Sequence, residues 1–242
     1  MKFPVYRARS GRTSHSGFAT RSVALLAAGL VVAAALGYWG IGAYRTAQLR
    51  QSVAALVKDT SRRLQEALAL EMEKAPEETL KTVSTLDEHA QEVDKNVIEL
   101  RGLNAASDRN LVNSAEEYML TVRQILRNQA ASHRYHIQVV AGDRALRDHM
   151  SRANRRSASW IEEALRAKDR LERAYFDYRL SADAFGRLLG SYPQVRNNLA
   201  QRVGAGLLLG DAAVADAADR AKEISRRTGE EVERARRLAA VK

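Results

Sequence analysis

The chain has no cysteine, three prolines and two tryptophans in 242 residues. The missing cysteine excludes disulfides, thiol nucleophiles, zinc–thiolate sites and a lipidated N-terminal cysteine together. Pro4, Pro76 and Pro193 stand far apart, so long stretches carry nothing that forbids a helix. Aromatic residues make up 6%, too few for the base-stacking platforms of single-strand binders. Acidic residues are missing from the first 58 positions, and the first is Asp59. No alternation of apolar and polar residues marks a strand anywhere. GxSxG, P-loop, GxGxxG and HExxH patterns are also missing.

What is present begins with one charge-free run, VALLAAGLVVAAALGYWGIGAY, residues 23–44. As a helix it would extend roughly 33 Å at about 1.5 Å per residue, enough to cross a bilayer core. Arg21 and Arg45 bound it, and Tyr38, Trp39 and Tyr44 gather at its end, where amphipathic rings favour the headgroup level. A cleaved signal peptide is the rival, with Ala33, Ala34 and Ala35 as its small residues, but the apolar stretch continues well past them. The expectation is one membrane helix over 22–44. Gly29, Ala33 and Gly37 recur every four residues and form a small-residue face against which another membrane helix could pack.

Residues 1–21 read as a basic, disordered tail. Lys2, Arg7, Arg9, Arg12 and Arg21 account for half of the formal net charge of +10. The remainder is mildly basic with acids interleaved, which argues against nucleic-acid binding. Flanking charge is nearly balanced across the run, so orientation rests on the tail. A short basic tail resists export, whereas a long domain translocates largely regardless of charge. The expected location is a bacterial inner membrane, single-pass, with the N-terminus cytoplasmic and residues 45–242 periplasmic.

From residue 45 onward the pattern is helical throughout. The fold class expected is all-α: the single membrane helix, then an antiparallel bundle of long, coiled-coil-like helices. These are expected at about 45–75, 76–103, 108–141, 143–189, 193–209 and 211–240. Leu49, Val53, Val57, Leu64, Leu68 and Met72 share the face of the first. Pro76 opens the second, whose seam is Val83, Leu86, Ala90, Val93, Val97 and Leu100. Ser107 or Asp108 caps the third, and Gly142 is expected to break it. Gly190 to Pro193 is expected to be the next turn. The segment Gly204 to Gly210 reads as a leucine-bearing hairpin tip or an exposed docking loop.

The seam of the third helix turns polar at Gln129, Ser132 and His136. Buried polar groups need partners, so these three are either a layer fixing register or a ligand position. Arg144, Arg147, Arg152, Arg155 and Arg156 form a basic stretch, either a solvated face or a patch for an acidic partner. His133, His136 and His149 lack carboxylates at any fixed zinc spacing. Adjacent pairs such as Glu116–Glu117 and Glu162–Glu163 point in different directions on a helix. No cofactor, metal or catalytic residue is expected.

The function expected is a non-catalytic, membrane-anchored scaffold or accessory subunit that binds other membrane or periplasmic proteins, or copies of itself. The alternative is a sensor that binds a small ligand and signals through a partner. An antiparallel bundle projecting from a membrane helix resembles the ligand-binding part of chemoreceptors in architecture. It departs from them in having one apolar run and no signalling region.

Overall fold

The computed structural model describes the backbone of residues 16–70, 76–151 and 157–240, and their side chains apart from 16–39, 41 and 76. Among these the fold is all-α: α1 (Ser16–Ala69), α2 (Pro76–Gly102), α3 (Arg109–Ser151), α4 (Ala158–Val203) and α5 (Asp211–Ala240). Single 3₁₀ turns, Ala105–Ser107 and Ala205–Leu207, precede α3 and α5. The chain divides into compact units 1–47 and 48–242, and α1 supplies residues to both.

No helix among the described residues is long and apolar enough to cross a membrane. Most of the run 22–44, including Gly29, Ala33 and Gly37, lies outside the described side chains, as does the tail 1–21. The structure therefore lends the single-pass assignment no support. In the first unit, Thr46 donates from Oγ1 to the Gly42 carbonyl at 2.9 Å.

The second unit is an antiparallel bundle. Arg50 on α1 lies 3.7 Å from Asp108 at the start of α3. Higher on α1, Asp59 accepts from Asn96 of α2 at 3.0 Å. Further up, Glu66 faces His89 at 3.7 Å. Thus α1 rises while α2 descends beside it. The α2–α3 and α4–α5 connections share one end, which we call the base. α1 ends only part-way up, because Ala67 in its last turn meets Gln129 and α3 continues to Ser151. Five helices share the lower core, and α3, α4 and α5 supply the upper one.

Local chemistry sets most ends. Asn104 Oδ1 accepts from the Ala106 N–H at 3.1 Å, and Asp108 Oδ1 accepts from the Leu111 N–H at 3.0 Å, the expected cap of α3. Ser157 caps α4 through the Trp160 N–H at 3.1 Å. Gly204 ends α4 with φ +91 and ψ 137, a conformation that a side chain disfavours.

Three expected boundaries are corrected. Gly142 does not break α3: it lies inside Arg109–Ser151. A Cβ there would stand 3.2 Å from the Leu171 Cα, so the glycine admits close approach of α4. α3 ends instead at Ser151 and α4 begins at Ala158, and the His149 and Trp160 rings stack at 4.9 Å. His149 Nε2 donates to the Trp160 carbonyl at 2.8 Å, and Trp160 Nε1 donates to the His149 carbonyl at 3.3 Å.

Gly190 to Pro193 likewise stays inside α4. Proline within a helix costs about 3 kcal/mol. Leu189, Tyr192 and Leu199 are buried on either side of it, and burying such side chains offsets that with roughly 1.5–3 kcal/mol each. Third, no helix spans 193–209. α4 ends at Val203, and Leu208 and Leu209 are buried against the base.

Candidate functional site

Apart from Val83 on α2, the buried apolar residues fall into two groups. The lower runs from Leu49 to Leu68 on α1, through α2 and the first half of α3, to Phe185–Leu199 on α4 and Val214–Ala217 on α5. The upper is Val139 and Leu146 of α3, Leu171, Ala174 and Tyr178 of α4, and Val232 and Ala235 of α5. A polar band separates them: Gln129, Ser132 and His133 on α3, Ser181 on α4 and Thr228 on α5, all buried.

Ser181 and Thr228 satisfy themselves within their own helices. Ser181 donates to the Tyr178 carbonyl at 2.8 Å and Thr228 to the Ile224 carbonyl at 2.9 Å. Gln129 Nε2 donates to the Ala67 carbonyl in the last turn of α1 at 2.9 Å. Arg220 of α5 donates to the neighbouring Leu68 carbonyl at 2.8 Å. Two side chains from other helices thus serve carbonyls in the last turn of α1.

A cavity of about 480 Å³ opens at this level. Leu68, Tyr178, Ala182, Phe185, Ala217 and Ile224 supply apolar wall, Gln129, Ser132 and His133 the polar part, and Asp216, Asp219, Arg220, Glu223 and Arg227 the charges. Gln129 and His133 are only 5% and 4% exposed, yet Gln129 Oε1 and His133 Nδ1 are buried without a hydrogen-bond partner. Burial, with a smaller effect from His136, holds the His133 imidazole down to about 4, so it is neutral near pH 7. Hydrogen bonds from Arg226 and Arg227 hold the Glu223 carboxyl down to about 2.

The structure brings Gln129 and Ser132 of the expected polar run to this cavity, but not His136. That ring is half-buried beside Tyr178, with centroids 5.7 Å apart, and burial lowers its pKa. His133, three residues earlier, lines the cavity in its place. Its signal was available: on a helix, positions 129, 132 and 133 share a face.

A second buried polar feature lies near the base. Ser61 Oγ and Tyr118 Oη are 2.6 Å apart, and Tyr118 Oη and Tyr192 Oη 3.3 Å. Tyr192 donates to the Leu209 carbonyl at 3.2 Å, and the Leu209 N–H donates to Ser61 Oγ at 3.2 Å. Because the Leu209 amide can only donate and its carbonyl only accept, every proton in the ring is assigned. Ser61 donates to Tyr118, and Tyr118 to Tyr192. Burial pushes both phenols up, beyond any physiological ionisation. A phenol in a helix seam signals a buried partner.

Of the basic stretch, Arg144 is exposed and Arg147 donates from Nε to both Asp143 oxygens at 2.8 and 2.9 Å. Arg152, Arg155 and Arg156 lie outside the described residues. Among the described residues no three His, Asp or Glu gather as a metal site. On the outside of α4, Ile161, Leu165, Phe176 and Leu180 are exposed, Phe176 by 61%. At 3.6 residues per turn the four fall on one side of the helix.

No protein family, curated protein or solved structure matches this chain.

Proposed function

We propose that the protein is a non-catalytic helical scaffold or accessory subunit, anchored in a bacterial inner membrane by residues 22–44. Its bundle, residues 45–242, stands in the periplasm and binds other membrane or periplasmic proteins, or a second copy of itself. The observation supporting this is four large apolar side chains exposed on one side of α4, Ile161 and Leu165 in one pair and Phe176 and Leu180 in another, with Asp169 and Glu172 between the pairs. A helix that leaves four large apolar side chains in water suits docking against a partner.

A photo-crosslinker at position 176, compared with one at the exposed Glu117 on α3, tests it in cells. Discrete adducts at 176 and none at 117 are expected. A monomer that yields no adduct at 176 refutes it. A C-terminal reporter active only in the periplasm tests the orientation.

The cavity favours a second reading, a bundle that senses a small ligand and signals through a partner. A mixed apolar and polar cavity of about 480 Å³ lies within the usual size of small-molecule sites, about 300–1,000 Å³.

A further inference from the structure

We infer that the cavity between the two cores binds a small, uncharged, largely apolar molecule that carries a hydroxyl or N–H donor. This rests on the second reading above only in taking the cavity as a ligand site, and it assumes no signalling.

The walls set the body of the ligand. Leu68, Ala182, Phe185, Ala217 and Ile224 offer no hydrogen-bonding side-chain atom, so most of the molecule is apolar. The polar part sets its head. An amide oxygen accepts and cannot donate, and Gln129 Oε1 is buried without a donor. Leaving such an acceptor unpaired is costly; the oxygen is closed to solvent, so a ligand O–H or N–H removes the cost once the Gln129 amide turns towards the cavity. His133 Nδ1, also unpartnered, can accept or donate according to its tautomer.

The surrounding charges exclude ions. Arg220 directs its two terminal nitrogens to Asp216 and to the Leu68 carbonyl, and Arg227 turns to Glu223. Both guanidiniums already serve carboxylates, so an anion would have to break an existing pair. A cation fares no better. Asp216, Asp219 and Glu223 already face Arg220, Lys222 and the Arg226–Arg227 pair.

The test uses the full chain in lipid nanodiscs and fluorine NMR line broadening with three probes of one size: 4-fluorophenol, 4-fluoroanisole and 4-fluorobenzoate. Phenol binding is expected to exceed anisole binding by about tenfold or more, because the ether cannot donate to Gln129, and benzoate should not bind. Ala221→Trp fills the cavity and should abolish binding. Gln129→Leu should reduce the phenol to the level of the anisole. That variant should still fold, because the Ala67 carbonyl keeps the Leu70 N–H at 3.1 Å.

Equal binding of phenol and ether, both lost in Ala221→Trp, overturns the donor requirement and leaves the cavity a ligand site. A phenol preference that survives Gln129→Leu overturns the assignment to that oxygen. Probes that do not distinguish wild type from Ala221→Trp overturn both the inference and the second reading, and mark the cavity as water-filled. If Ala221→Trp does not fold, Gln129→Leu alone decides the donor contact.

Discussion

Removing one hydroxyl from the ring of Ser61, Tyr118, Tyr192 and Leu209 should destabilise the bundle in a pattern that only a closed ring produces. Tyr192→Phe keeps the buried ring shape and deletes two hydrogen bonds, to Leu209 and from Tyr118. Each bond contributes about 1 kcal/mol, and a buried group left unpaired costs about 1–3 kcal/mol. The expected loss is therefore about 2–3 kcal/mol. Tyr118→Phe also deletes two bonds, one of them shared with Tyr192. The double variant loses three bonds, so its cost should fall short of the sum by about 1 kcal/mol. Ser61→Ala and Tyr192→Phe share no bond, because they sit across the ring, and their costs should add. Urea unfolding of the full chain in mild detergent, followed by circular dichroism, measures all five variants against wild type. Single losses below about 0.5 kcal/mol would refute the ring. So would a Ser61/Tyr192 coupling as large as that of Tyr118 and Tyr192.

His133 should make the fold acid-sensitive. Burial lowers its pKa to about 4, so the unfolded chain, near 6.5, takes up its proton first. Stability is full above about pH 6.5 and falls as pH drops towards 4, by about 2–3 kcal/mol. His133→Phe should flatten thermal stability across that window, and an unchanged slope refutes the assignment. Asp59 acts lower. Burial pushes its carboxyl up, but hydrogen bonds from Asn96, Arg63 and Arg62 outweigh this and hold it at about 2. Its contribution, discounted for a carboxylate about a third exposed, is about 1 kcal/mol, present above pH 4 and lost as pH falls through 2. Asp59→Asn should therefore destabilise at pH 7 and not near pH 2, as read from melting temperatures. Gly142→Val would drive a branched side chain into the backbone of α4 at Leu171. A loss of about 1–3 kcal/mol is expected, and a neutral result would show that the helices can separate there freely.

The all-α bundle was legible because the three-and-four spacing is long and uninterrupted. Leu86, Ala90, Val93, Val97 and Leu100 are buried as that spacing requires. Asp211 opens α5 where a capping residue stands before a seam. The errors came from residues whose local preference opposes their surroundings. Gly142 and Pro193 both read as breakers, but a neighbouring helix rewards the first and buried tyrosine and leucine carry the chain through the second. Of the site, Gln129 and Ser132 were visible as polar interruptions of a seam. His133 was passed over, since a seam line drawn through 129, 132 and 136 runs beside it, although 129, 132 and 133 share a face. The partners of Tyr118 lie 57 and 74 positions away, a distance no local pattern reports.

The polar ring at the base also has a timetable. Ser61 and Leu209 stand 148 positions apart. At a synthesis rate of roughly 5–20 residues per second, the serine leaves the ribosome roughly 7–30 s before the amide it will serve. Until then the hydroxyls of Ser61, Tyr118 and Tyr192 have only water or one another to bond. The foot of the bundle thus stays wet until the α4–α5 connection is made, although α1 and α2, which form one of its walls, are made first.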